Sequence, residues 1–280
     1  MNTARVTRYS AAEHLARSVN FGRDGRDLSM TMFTANFDAS GLAGDTSPGA
    51  AFFVSGFVST VEKWRAFEDE WLSLLRESGI KSPFHMTDFE AGVQQYASWK
   101  RDLPRRNEFL SRAVDIMHKQ THKPFSHGVI LADLRRMFME FDIPDIVPPE
   151  PYAFCGLQVI GYTLQWASNR FRAKTMTGAD AMELVFEDGD LDKGKFMNAT
   201  RRRYGKMPVF KTKTWVPFQI CDLLAWEHRR RVVEFAKHGA ARSRASYAEL
   251  ERRLPDGALR FDNWQSLERF CISAGFARRV

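Results

Sequence analysis

The sequence predicts a single α/β domain in which helices flank a mixed β-sheet. Two observations carry this prediction. Two apolar segments on either side of a loop of turn-forming residues indicate a hairpin, and two amphipathic helices follow it. Three further pairs of a strand and then a helix complete the chain, and no internal repeat is visible.

The chain has 280 residues, of which 44% are apolar and 27% charged, as is ordinary for a globular protein. Residues 1–28 are polar, and we expect an N-terminal arm, loosely attached, with a short helix near 11–18. Residues 29–280 are predicted to form the single domain. The proline-rich segment 142–151 is interpreted as a loop rather than a domain boundary, because the halves on either side look interdependent.

The elements of the first half follow from apolar spacing and turn-forming residues. Strands are predicted at 30–38 and 51–59, joined by the turn-forming sequence "SGLAGDTSPG". A helix over 61–78 carries apolar residues at helical spacing and stops at Gly79. The remaining predictions of this half are an irregular segment at 82–92, a helix over 104–120 and a strand over 125–134.

The second half alternates long helices with strands. Pro217 is placed where a first helical residue is expected, which marks the start of the last long helix. The predicted elements are helices over 152–172, 193–205, 217–239 and 246–253, and strands over 181–190 and 208–216.

Charge, cysteine spacing and the lengths of the apolar runs indicate which partners and which compartment to expect. The 41 Lys and Arg against 34 Asp and Glu give a net charge of +7, which suits an anionic partner such as nucleic acid without requiring one. The three cysteines form no CxxC pair, and we expect them in the core of a cytoplasmic protein. The first residues contain no apolar signal segment, and no run approaches the ~18 residues that span a membrane, so no membrane partner is expected.

Three elements interrupt their apolar pattern with a carboxylate. Asp38 ends the first strand, Glu187 and Asp188 end the strand "MELVF", and Asp222 lies inside the last long helix. The "EDGDLD" sequence is also a good turn and helix start. The apolar strand before it favours a site, because ligands bind at strand ends in α/β sheets.

Asp222 is the most informative of these acids. Its neighbours on one face of the helix are Phe218, Ala225 and Trp226, followed by Arg229 one turn later, so the face is expected to lie on a core. A carboxylate there loses hydration, at a cost that a metal ion or a buried salt bridge would offset. A purely helix-dipole role is less favoured, because Asp222 lies in the second turn.

Three carboxylates from two strand ends and a helix would form a site for a hard divalent cation. Such a site supports phosphodiester cleavage, in which metals stabilise the attacking and leaving oxygens. Basic residues follow the second and third acids and could hold phosphates, although charge runs are also typical of solvated faces. The candidates for nucleic-acid binding are Arg201, Arg202, Arg203, Lys211, Lys213 and Arg229.

Five segments in this order resemble domain-of-unknown-function family 3800, a mostly prokaryotic family grouped with the ribonuclease H-like fold. The segments are "MTMFTANFDASG", "AFFVSGFVS", "FHMTDFE", "MELVFED" and "FQICDLLAWEHRR", and they span about residues 30–237. Gln219, Asp222, Leu223, Leu224 and Ala225 match the family's helix motif, and Asp38, Ser40 and Gly41 match its first motif. Ala39 replaces the usual glutamate, and Glu187 stands where aspartate is usual.

The resemblance implies a ribonuclease H-like mixed sheet flanked by helices, with a Mg²⁺ or Mn²⁺ site built from Asp38, Glu187 and Asp222. It suggests nuclease chemistry by fold analogy. Ala39 lacks the carboxylate of the family's usual glutamate. Its role could be supplied by His85 and Asp88, or by Asp188, Asp190 or Glu227, although Glu227 lies off the Asp222 face of the helix.

The catalytic candidates are therefore Asp38, Glu187, Asp222, Asp188 and His85. His85 could act as a proton shuttle or leaving-group acid, or it could be a capping or core histidine.

The predicted function is a Mg²⁺- or Mn²⁺-dependent nuclease that acts on DNA or RNA. The alternative is a catalytically inactive module that binds nucleic acid or protein on the same scaffold. The sequence has no GxGxxG, GxSxG or phosphate-binding Gly-Lys-Ser/Thr loop, which disfavours dehydrogenases, hydrolases of the elbow type and kinases.

Overall fold

A computed structural model describes residues 33–81, 83–171, 182–189, 192–239, 245–253 and 259–279. The described chain is an α/β fold with a six-stranded sheet in the order β5-β4-β1-β2-β3-β6. The strands are β1 Phe33–Ser40, β2 Ala51–Thr60, β3 Lys123–Ile130, β4 Met182–Glu187, β5 Val209–Lys211 and β6 Leu259–Asp262. The predicted N-terminal arm at 1–28 lies outside the described residues.

The sheet is mixed, as the sequence predicts. β2 pairs antiparallel with β1 and β3, whereas β4 pairs parallel with β1, β5 with β4, and β6 with β3. Of the six described strands, β2 therefore runs against the other five. Because β1 and β4 are parallel neighbours, their carboxyl ends meet at the same edge of the sheet.

Helices cover both faces of this sheet. The long helices α5 and α7 pack directly on the strands, α5 on β2 and β3, and α7 on β1 and β2. The α-helices are α1 Val61–Glu77, α2 Met86–Ala91, α3 Leu103–Gln120, α4 Leu131–Glu140, α5 Pro151–Phe171, α6 Lys193–Tyr204, α7 Phe218–His238, α8 Ala245–Arg253 and α9 Trp264–Ser273, and a 3₁₀ helix covers Gln94–Trp99.

Two apolar cores lie on the two sides of the sheet. The first core packs residues of β1, β2 and β4 against α5 and α6, with α4 and α9 at its edge. The second packs α1, α3 and the 3₁₀ helix against α7. Alternation along β1 divides its side chains between the two layers. Ala35 and Phe37 enter the first core, so Asn36 and Asp38 face α7.

Most predicted elements are confirmed, including the first hairpin and the long helices. The strand predicted over 125–134 is wrong at its end, because β3 stops at Ile130 and α4 begins at once. Leu131, Leu134 and Met137 are buried at helical spacing, which extends the apolar run without extending the strand.

Three other differences involve short elements. The strand predicted over 208–216 is only β5, because the chain turns after it and the Trp215 N–H donates to the Thr212 carbonyl. The segment predicted as irregular at 82–92 contains α2. β6 and α9 were not predicted. β6 has four residues with little apolar alternation, so its pairing with β3 depends on tertiary contacts.

All three cysteines, Cys155, Cys221 and Cys271, are buried and free, which confirms their prediction as core residues. Among the helices of the described ranges, none is both long and apolar enough to cross a membrane.

Candidate active site

The candidate active site begins with Asp38 at the carboxyl end of β1. Its side chain is partly buried on the α7 side of the sheet, and its Oδ1 accepts the Ala39 N–H at 2.7 Å. Burial raises the pKa of Asp38 well above its usual value, and repulsion from Asp222 and Glu187 raises it further. The three acids singled out in the sequence therefore act on one another electrostatically.

Glu187 is the neighbour of Asp38 on the adjacent parallel strand. Phe37 of β1 pairs with Phe186 of β4, and continuing this register by one residue sets Asp38 beside Glu187 on the same face. Repulsion from Glu187 and hydrogen bonding to its carboxyl group both raise the pKa of Asp38. Two neighbouring carboxylates repel unless a proton or a cation lies between them.

Asp222 approaches from α7 and is 7% exposed. Its Oδ2 accepts the Met86 N–H at 2.6 Å. Burial raises the pKa of Asp222 to about 6, although His85 and the Met86 N–H oppose the shift. The stripe around Asp222 is buried, as predicted, with Phe218, Ala225 and Trp226 at most 5% exposed.

The salt-bridge alternative for Asp222 has no Lys or Arg to support it in the described ranges. The nearest cationic candidate is His85, whose Nε2 lies 4.0 Å from Asp222 Oδ2. The same holds for Asp38 and Glu187, which form no ion pair with a described Lys or Arg. The negative charge of the cluster is therefore not compensated by these side chains.

The donor chemistry fits a hard cation, because carboxylate oxygens are the ligands that Mg²⁺ and Mn²⁺ prefer. The cluster is not a finished coordination shell. Within the part of the chain that the structure describes, no three His, Cys, Asp or Glu side chains are grouped so that they could hold a metal ion as they stand. Asp38 and Glu187 already face each other, and Asp222 would have to complete the set.

His85 lies at the rim of the cluster, immediately before α2. Its side chain is 55% exposed, with Nε2 toward Asp222 and Nδ1 3.6 Å from Asp88 Oδ2. It is therefore not a core histidine. Although it occupies the residue before α2, its side chain makes no capping hydrogen bond. Its position allows contact with a ligand bound at the acids.

Asp188 and Glu227, two of the other proposed acids, are paired outside the cluster. Asp188 is 47% exposed and pairs with Lys193 Nζ at 2.9 Å. Glu227 is buried and accepts a hydrogen bond from Ser246 of α8. Asp190 lies outside the described residues.

Two of the basic candidates lie near the acids. Lys211 is the β5 partner of Glu187, and its Nζ lies 5.3 Å from the ring centroid of Trp215. Arg229 follows Asp222 by seven residues on α7, and its Nε donates to Ser40 Oγ at 3.2 Å. Lys213 is exposed in the turn after β5.

The run Arg201–Arg203 lies elsewhere. It forms the exposed last turn of α6, which packs in the α5 layer on the other face of the sheet. Lys206, just beyond it, donates to the carbonyl of Met182, the first residue of β4. A strand of six residues, about 17 Å long, separates this end from Glu187. These arginines therefore do not face the acid cluster.

Two site residues received no role from the sequence. Asn36 is 1% exposed, and its Oδ1 accepts the Trp215 indole N–H at 2.9 Å, which fixes the turn after β5 against β1. Alternation along β1 could have found it, because Asn36 lies two residues before Asp38. Gln219 was matched as part of a motif, but its contacts could not be read from the sequence.

No family model matches the chain, and no curated protein is significantly similar to it.

Proposed function

We propose that this protein is a Mg²⁺- or Mn²⁺-dependent nuclease with a ribonuclease H-like fold, related to domain-of-unknown-function family 3800. The observation that carries the proposal is the convergence of Asp38, Glu187 and Asp222 at one edge of the sheet. No described Lys or Arg pairs with any of them. The mixed sheet, with acids from two adjacent strand ends and a facing helix, supports the fold assignment.

The three carboxylates would hold the metal, which when bound activates a water molecule and stabilises charge on the phosphate. Arg229 and Lys211 flank the cluster and would bind the phosphates of a DNA or RNA strand. His85 at the rim is placed to exchange a proton with the leaving oxygen. Ser40 holds Arg229 through its hydroxyl.

The test is cleavage of labelled DNA and RNA oligonucleotides with Mg²⁺ or Mn²⁺. We expect the parent protein to cut and Asp38→Asn to lose at least 100-fold in rate, because an amide is a poor ligand for a hard cation. Asp69→Asn is the matched control, since Asp69 is exposed on α1. Equal cleavage by the parent and Asp38→Asn would contradict the proposal.

The second candidate is an inactive binding module on the same scaffold. It is favoured by the incomplete grouping of the carboxylates in the described residues. Thermal melting separates the two candidates, because a ligand that binds the folded state raises the melting temperature. A nuclease site should give a Mn²⁺-dependent rise that Asp38→Asn abolishes, whereas an inactive module without a metal site should give none.

A further inference from the structure

Gln219 is a buried polar residue of α7 that the proposed chemistry does not use. It is 4% exposed, and its Oε1 accepts two hydrogen bonds, from Trp71 Nε1 at 3.0 Å and from the Phe84 N–H at 2.7 Å. An indole N–H and a backbone N–H can only donate, so the amide oxygen of Gln219 must face both groups.

Asp222 lies one helical turn further along α7 and makes the matching contact. Its Oδ2 accepts the N–H of Met86, two residues after Phe84. The side chains of Phe84 and Met86 are both buried, at 2% and 0% exposure, whereas His85 between them is exposed. Gln219 and Asp222 therefore hold the segment 84–86, which leads into α2, at two points.

This arrangement bears on how the Asp222 carboxylate is oriented. A carboxylate has two oxygens, and a hydrogen bond that fixes Oδ2 restricts the direction in which Oδ1 points. The Met86 N–H can fix Oδ2 only while segment 84–86 stays in place. Besides the burial of the Phe84 and Met86 side chains, the hydrogen bond from the Phe84 N–H to Gln219 keeps it in place.

We propose that Gln219 is a positioning residue for the metal site, acting through segment 84–86 on the orientation of Asp222. Groups that orient a ligand in this way typically change metal affinity 10- to 100-fold when they are removed. Segment 84–86 also carries His85, so the same contact sets the position of the imidazole at the rim. The role rests on the proposed function, because it requires Asp222 to bind a metal.

The chain offers a matched pair of variants. Gln219→Met keeps the approximate length of the side chain but removes the acceptor from both donors. Trp71→Phe removes one of the same two hydrogen bonds and leaves Phe84 bound to Gln219. Both variants should lower the melting temperature, whereas Gln219→Met alone should release segment 84–86. Gln219→Glu restores an acceptor and serves as the rescue variant.

The experiment is calorimetric titration of the full-length variants with Mn²⁺, together with amide hydrogen exchange at Met86. We expect Gln219→Met to weaken Mn²⁺ binding about 10-fold and to speed exchange at Met86. Trp71→Phe should match the parent protein in both measurements. Gln219→Glu should recover most of the affinity. If Gln219→Met fails to fold, the Mn²⁺ affinities of Gln219→Glu and Trp71→Phe are compared instead. Because both variants keep an acceptor for the Phe84 N–H, the positioning role predicts nearly equal affinities.

The possible failures can be told apart. Parent-like Mn²⁺ binding by Gln219→Met, or equal weakening by Trp71→Phe, overturns the positioning role and leaves the proposed function standing. In the fallback case, a Gln219→Glu affinity 10-fold below that of Trp71→Phe also overturns it. A parent protein that binds no Mn²⁺ overturns the proposed function and the positioning role together.

Discussion

Asp38 and Ala39 are neighbours in β1 whose side chains lie on opposite faces of the sheet. Asp38 faces α7 and the other acids, whereas Ala39 packs against the apolar core on the α5 side. This alternation follows from strand geometry. Ala39, where the resemblance to family 3800 leads us to expect a glutamate, therefore removes no ligand from the candidate site, and it does not argue against activity there.

Substitution of Ala39 tests this placement. We expect Ala39→Glu to leave Mn²⁺ affinity within about twofold of the parent value, because the new carboxylate would point away from Asp38. It should lower the melting temperature, since it places a charge against the apolar core and on the same face as Asp188. Calorimetry and thermal melting measure the two effects. A tenfold gain in Mn²⁺ affinity would show that position 39 reaches the site.

At the scale of elements, α7 supplies most of the site's contacts. One face carries Gln219, Asp222 and Arg229 along about three turns of the helix. Arg229 is partly buried against Ser40, and burial lowers its pKa. In the described ranges it forms no ion pair with a carboxylate, so its guanidinium group can bind a phosphate. The adjacent Arg230 instead pairs with Glu234 at 2.8 Å and lies over Trp226.

This contrast within one run of arginines predicts different effects on nucleic-acid binding. Arg229→Gln should weaken binding of an oligonucleotide and reduce the salt dependence of its affinity by about one phosphate contact. Arg230→Gln is the matched control and should stay within about twofold of the parent. Fluorescence anisotropy in EDTA, repeated at several salt concentrations, measures both. Equal effects of the two substitutions would mean that the run acts as a diffuse positive surface.

At the scale of the whole molecule, the acid cluster opposes folding when no cation is bound. The pKa of Asp222 is raised to about 6 from a usual value near 3.8, and that of Asp38 is raised in the same direction. At Asp222 the folded protein therefore binds more protons than the unfolded chain between these two values. The contribution of Asp222 to stability must then fall as the pH rises from about 4 to 6, and the contribution of Asp38 changes in the same direction.

The pH profile of unfolding tests this account. A shift of about two pKa units corresponds to roughly 3 kcal/mol, so Asp222→Asn should be more stable than the parent by up to that amount at pH 7 and nearly equal to it at pH 4. Urea unfolding of both proteins in EDTA measures the difference in their free energies of unfolding. Comparing the two proteins at each pH cancels the contributions of unrelated groups. A difference that does not grow with pH would contradict the electrostatic origin.

The pattern of acids and apolar residues was sufficient to predict the α/β class, the first hairpin and the long helices, and it singled out the three acids of the candidate site. Those features are local, since periodicity determines which face of an element is buried and a lone carboxylate interrupts that pattern. The short strand β6 and the helix α2 could not be predicted, because their stability comes from contacts with distant residues.

The sequence by itself determined that Asp38, Glu187 and Asp222 lie at element positions where carboxylates are costly. The tertiary structure decided which groups join them. Parallel pairing of β1 with β4 brings Glu187 to Asp38, and strand alternation turns Ala39 away. Packing of α7 across the sheet adds Arg229, whereas the crossover through α6 carries Arg201–Arg203 to the other face. The physical reason is that register and layer are set by long-range packing, which a run of charges does not encode.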